Sequence, residues 1–140
     1  MKRFLVLSFT VFLTSVIFAS PIIRLKKGLV ITSSVTISRE NYYLNADSSL
    51  HAPLIIIEGR NITVDFNHCT LQGSSDKSLP NEFYGLAVLI KKGSSNIKIL
   101  QANIHGFKIA IMAESVEHLQ ISNCDLSYNY RQHLHRNWKR

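Results

Sequence analysis

A helical period is missing from this chain: nowhere in its 140 residues do apolar positions recur at the three-and-four spacing of an amphipathic helix. That excludes a helical domain. Paired acids are missing too, and the chain's nine carboxylates (Glu40, Asp47, Glu58, Asp65, Asp76, Glu82, Glu114, Glu117 and Asp125) form no motif like the pair that flanks a scissile glycosidic bond. Cysteine is nearly absent. Cys69 and Cys124 stand alone, and none follows the apolar start of the chain, which excludes a bacterial lipoprotein. One long hydrophobic run exists, residues 4–19, preceded by Lys2 and Arg3. It is short of the roughly 20 apolar residues of a membrane span and matches a secretory signal, cut after Ala19 with Ile17 at the −3 position. Residues 1–19 are therefore read as a signal peptide, which directs the chain to the periplasm or outside and leaves no stable membrane insertion.

The net charge of +7 suggests a nucleic-acid binder until it is located. Lys2 and Arg3 leave with the signal, and Arg131, Arg136, Lys139 and Arg140 sit in a tail without acids. Between residues 20 and 130 there are 10 basic and 9 acidic residues, so no basic stripe is left to follow phosphates. Nucleic acid is not the expected partner.

Against these absences stands a repeat. Leu54/Ala87/Ile109, Ile56/Leu89/Ile111, Val64/Ile97/Leu119, Phe66/Ile99/Ile121, Cys69/Ala102/Cys124 and Leu71/Ile104/Leu126 read as six columns of apolar or small residues. From Ala87 to Ile109 the numbering steps by 22, and from Leu54 to Ala87 by 33, as if an extra segment had been inserted between the first two copies. A fixed period in the twenties marks a solenoid. Within each copy apolar residues alternate, as in Val64-x-Phe66, which means short strands with one buried face. The expectation is an all-β coil of about 22-residue turns that pair in parallel, with residues 20–53 as a divergent N-terminal capping turn. Residues 54–130 are the regular turns, 73–83 a loop inserted between two of them, and 131–140 a basic tail. Cys69 and Cys124 share a column two turns apart. At ~4.8 Å per strand their Cα atoms lie ~10 Å apart, beyond the ~7 Å limit of a bridge, so both thiols are expected to be free.

The segments VDFNHCTLQG (64–73) and IKILQANIHG (97–106), with LQISNCDLSY (119–128) carrying Tyr128 in place of the glycine, resemble the repeat of the right-handed parallel β-helix of pectin-lyase-like proteins. The resemblance runs over residues 28–130. It implies a right-handed coil and a secreted protein that recognises or degrades an extracellular polysaccharide, as a lyase or a glycosidase. Calcium enters as a cofactor by that resemblance alone; no cofactor is evident in the residues themselves. Relatives stack more turns than the three regular ones found here, so the chain is expected to be a fragment.

Function on such a scaffold sits in outward columns, here Asp65/Lys98/Gln120, Thr70/Asn103/Asp125 and Gln72/His105/Ser127. Asp125 and His105 fall one turn apart and two positions off in register. With Arg131 they offer an acid, a base and a cation of the kind a uronate-cleaving lyase needs beside its substrate carboxylate. Phe83, Tyr84, Tyr128 and Tyr130 are the candidate faces for stacking on sugar rings. His133-x-His135 has a zinc spacing but no third ligand nearby. The residues leave open a second class, a non-catalytic adhesin-like or surface structural module, and leave the oligomeric state undefined.

Overall fold

The structure, a computed structural model, describes residues 19–74 and 79–132. The expected signal, apart from Ala19, lies outside them, as do residues 75–78 of the inserted loop and the tail from 133 onward. Twelve strands form among the described residues: β1 (Ile22–Ile23), β2 (Leu29–Ile31), β3 (Val35–Ile37), β4 (Asn41–Tyr43), β5 (Ile55–Ile57), β6 (Arg60–Asp65), β7 (Thr70–Gln72), β8 (Leu86–Ile90), β9 (Ser95–Leu100), β10 (Asn103–His105), β11 (Ile109–Ala113) and β12 (Glu117–Ser122). The one helical element among them is a single 3₁₀ turn, Pro80–Glu82.

The strands make three sheets, each wholly parallel. The first has the order β1-β3-β6-β9-β12, the second β2-β5-β8-β11, and the third β4-β7-β10. An isolated bridge from Asn103 to Asp125 extends the third. From β2 onward the chain visits second, first and third sheet in strict rotation, so each strand from β2 to β9 pairs with the strand three places on. Parallel neighbours require such a return path, because a tight hairpin can join only antiparallel strands.

The core lies between the sheets. Ile31, Ile57 and Ile90 stack in one line, and Ile62 over Ile97 in another, all buried. Like sits on like because an in-register parallel stack gives equivalent residues the same surroundings. Each strand of the first sheet from β6 on bends at its second residue, which accepts a left-handed backbone. Asn61, Asn96 and His118 occupy one column with φ of 57°, 52° and 53°, and the side-chain amide of Asn96 donates to Oδ1 of Asn61 at 2.7 Å. Asparagine and histidine are among the non-glycine residues that visit this region most readily.

The register departs from the expected columns in two places. Val64 pairs with Ile99, and Ile62 with Ile97, a step of 35 in the numbering instead of 33. The second copy spends four residues (91–94) on the corner before β9, where the first spends two (58–59) before β6. The first copy recovers them at the next corner, residues 66–69, where Asn67 and His68 are both left-handed (φ 49° and 57°) and the second copy has Gln101 alone (φ 56°). Thr70 then pairs with Asn103, which restores the step of 33. In the second sheet Ile109 pairs with Leu86 and Ile111 with Val88, a separation of 23 rather than 22. That one-residue slip reverses a column. Ile56 and Leu89 face outward with Val30 and Met112, while Ile111 joins the inward line of Ile55 and Val88.

Residues 20–53 contribute four strands and pair with the next copy at other separations: Leu29 with Ile55, 26 on, and Asn41 with Thr70, 29 on. The step of 22 holds between Ser95 and Glu117 and between Asn103 and Asp125. Cys69 and Cys124 are both free. Cys69 is buried, whereas Cys124 is half-buried, its Sγ accepting from the Ala102 N–H at 3.4 Å and donating to the Ser122 carbonyl at 3.3 Å.

Candidate functional site

The inserted loop and the segment after β12 meet at one corner of the stack, and a cleft of about 720 Å³ opens between them. It is lined by Leu79, Pro80 and Asn81 from the loop and by Tyr128, Asn129, Arg131 and Gln132 from the last segment. The second wall is held down by its own polar groups. Asn129 donates from Nδ2 to the carbonyls of Ile104 and Leu126, each at 2.8 Å, and its Oδ1 accepts the Phe107 N–H at 3.0 Å. The Tyr130 N–H donates to the Phe107 carbonyl at 2.8 Å, and the Arg131 N–H to the Pro80 carbonyl at 3.2 Å, which joins the two walls.

Each aromatic candidate has a distinct place. Phe83 is buried and meets the edge of Tyr128, ring centres 5.4 Å apart and planes at 67°. It therefore supports the wall and offers no face to a sugar, which corrects the expectation for Phe83. Tyr128 is 52% exposed and lines the cleft. Its φ of 52° is left-handed, where Gly106 stands in the preceding copy with φ of 76°; a bulky residue there is strained. Tyr84 and Tyr130 are exposed but do not line the cleft; the Tyr130 ring lies 5.8 Å from Nζ of Lys108.

The expected acid, base and cation separate into a pair and a single residue. His105 and Asp125 come together, with Nε2 3.8 Å from Oδ2. His105 Nδ1 lies 2.7 Å from the Ser127 carbonyl. A carbonyl only accepts, so Nδ1 donates to it, which leaves Nε2 turned toward Asp125. The Asp125 carboxyl is held below its ordinary range chiefly by hydrogen bonds from Ser127, through side chain and backbone, and to a lesser degree by His105 when that ring is charged. The Ser127 N–H reaches Oδ1 at 2.9 Å. A histidine–carboxylate pair is thus present on the third sheet's outer face. Arg131 lines the cleft; His105 and Asp125 do not.

Of the outward columns, Thr70/Asn103/Asp125 and the pairing of Gln72 with His105 stand, and they continue to Asn41 and Tyr43. The column containing Lys98 is Thr63/Lys98/Gln120; Asp65 pairs instead with Leu100, a consequence of the two-residue shift at the preceding corner. Among the described residues, no three His, Cys, Asp or Glu side chains gather as metal ligands.

Leu79, Pro80, Asn81 and Asn129 are not singled out by the sequence pattern. The loop's composition gives its position but not the direction in which it folds, and Asn129 carries no motif. Its one signal is the place two residues after the shared-column Ser127, where a side chain can reach the last unpaired carbonyls. Compared with known proteins, the chain matches no family model, no curated protein and no solved structure.

Proposed function

We propose that this chain is a secreted right-handed parallel β-helix whose regular turns step by 22 in the numbering, pectin-lyase-like in its repeat, that binds an extracellular polysaccharide in the cleft between residues 79–81 and 128–132. One observation carries the reading: the exposed Tyr128 ring stands in an open cleft with Arg131 on the same wall. An exposed ring beside a guanidinium suits a sugar face with a carboxylate at its edge. Rotation of the strands through three parallel sheets supports the coil, and the apolar residues 4–19 after Lys2 and Arg3 support secretion.

Recognition is favoured over cleavage because Arg131 lies in the cleft while His105 and Asp125 lie outside it. The alternative, a non-catalytic surface module without a glycan ligand, draws on the polar outer columns Asn41/Thr70/Asn103 and Thr63/Lys98/Gln120. Calorimetric titration with polyuronates and with neutral glycans separates the readings. Binding that is lost in Tyr128→Ala and weakened in Arg131→Ala, but kept in Tyr84→Ala, is expected. No heat with any glycan would leave the surface module. New unsaturated or reducing ends would instead make the protein a lyase or hydrolase, and His105→Ala would then abolish them.

A further inference from the structure

We infer that the corner leading from the second sheet to the first binds a small zwitterion, its carboxylate held by Arg60 and its ammonium by Glu117. Arg60, Ser95 and Glu117 open β6, β9 and β12 and pair in one column. A cation and an anion therefore stand two strands apart, ~10 Å between their backbones, with a hydroxyl between them. They do not neutralise each other, since neither joins an ion pair among the described residues. At the same corner Lys91 and Glu58, on adjacent turns, do meet, Nζ to Oε2 at 2.6 Å.

A cleft of about 260 Å³ contains this column, lined by Arg60, Gly93, Ser94, Ser95, Ser115 and Glu117. That is below the volume that takes a drug-sized ligand, and none of the six side chains is apolar. Ser94 points to a ligand most directly. It is 3% exposed yet lines the cleft, and its Oγ accepts the Gly59 N–H at 3.3 Å. Among the described residues its own proton goes to no acceptor. A hydroxyl gives as well as accepts, so that proton is left for a group in the cleft.

The charges select the class. The Arg60 guanidinium and the serine hydroxyls are donors, which suit a carboxylate. Glu117 only accepts, and suits an ammonium. A simple anion would leave Glu117 unmatched, and a simple cation would leave Arg60 so; a molecule with both charges satisfies the two together. The strands that carry most of the lining have neighbours on both sides, β6 between β3 and β9, and β9 between β6 and β12. The site shares no residue with the cleft at residues 79–81 and 128–132, so it stands apart from the glycan reading.

Titration of the isotope-labelled full chain with glycine and with γ-aminobutyrate, followed through its amide resonances, tests this. Saturable shifts at Gly93, Ser94 and Ser95 are expected with at least one of them, and weaker binding of acetate and of methylammonium. Arg60→Gln, at an exposed and unpaired side chain, should leave the melting temperature unchanged and weaken the zwitterion by about tenfold. Glu117→Gln should remove the preference for the zwitterion over acetate. Lys92→Gln, on the same corner but outside the cleft, should change neither. No saturable shift with either zwitterion, acetate bound as tightly by the parent chain, or binding indifferent to Arg60→Gln and Glu117→Gln would each overturn the inference.

Discussion

Gly73 lies against the ring of Phe107 so closely that a Cβ on it would overlap the ring carbons. Phe107 is fully buried, at the corner from which the candidate site's second wall is hung. Gly73→Ala should therefore cost about 1–3 kcal/mol through overpacking. Urea denaturation measures it, and Phe107→Leu in the alanine background should recover part of the loss. A neutral Gly73→Ala would mean that the corner is looser than the geometry requires.

The inward and outward faces of β9 should differ sharply. Ile99 is fully buried beside Val64, its partner in the stack, whereas its chain neighbour Lys98 is exposed. Ile99→Ala should cost ~2–5 kcal/mol. Lys98→Ala should change little, as surface substitutions remote from caps and networks usually stay within about 0.5 kcal/mol. Equal effects on the denaturation midpoint would contradict the assignment of faces.

Alkaline pH should weaken the fold through Cys69. Burial, with a smaller contribution from Asp65, pushes its thiol from the usual 9.0 up to about 12. Between those values the unfolded chain has lost a proton that the folded chain keeps, so stability is full below pH 9 and declines as pH rises toward 12. Melting curves across that window should fall more steeply for the parent than for Cys69→Ala. Thiol titration of the unfolded, unreduced chain should count two, and in the native chain Cys124 should react before Cys69.

Acid pH reports on the pair at the third sheet. Ser127 holds the Asp125 carboxyl below its ordinary 3.8, so its contribution to stability is present above that value and fades as pH falls below it. A carboxyl-carbon NMR titration should place the Asp125 midpoint below 3.8, and Ser127→Ala should raise it. An unchanged midpoint in Ser127→Ala would remove the Ser127 hydroxyl as the chief cause.

The parallel, all-β character was readable in the sequence because alternation and column identity both follow directly from strand geometry. Register was readable only in part. A slip of two residues preserves alternation, so Val64 over Ile97 and Val64 over Ile99 give equally apolar columns. The deciding feature, two left-handed residues at Asn67 and His68 against one at Gln101, is a backbone property that asparagine permits but does not announce. The one-residue slip at Ile109 and Ile111 was hidden by a strand that is apolar on both faces, Ile109–Ala113. Outside the cleft, the approach of His105 to Asp125 followed from the columns because the step from Asn103 to Asp125 is one uninterrupted turn. Leu79 to Asn81 did not, since nothing periodic specifies where an inserted loop folds back.

Every placement in the stack, the cleft included, depends on how its copies are aligned. Cross-strand NOEs in a methyl-labelled sample test that alignment most directly. Contacts from Val64 to Ile99 and from Ile62 to Ile97 are the predicted result. Contacts from Val64 to Ile97, without one to Ile99, would contradict it.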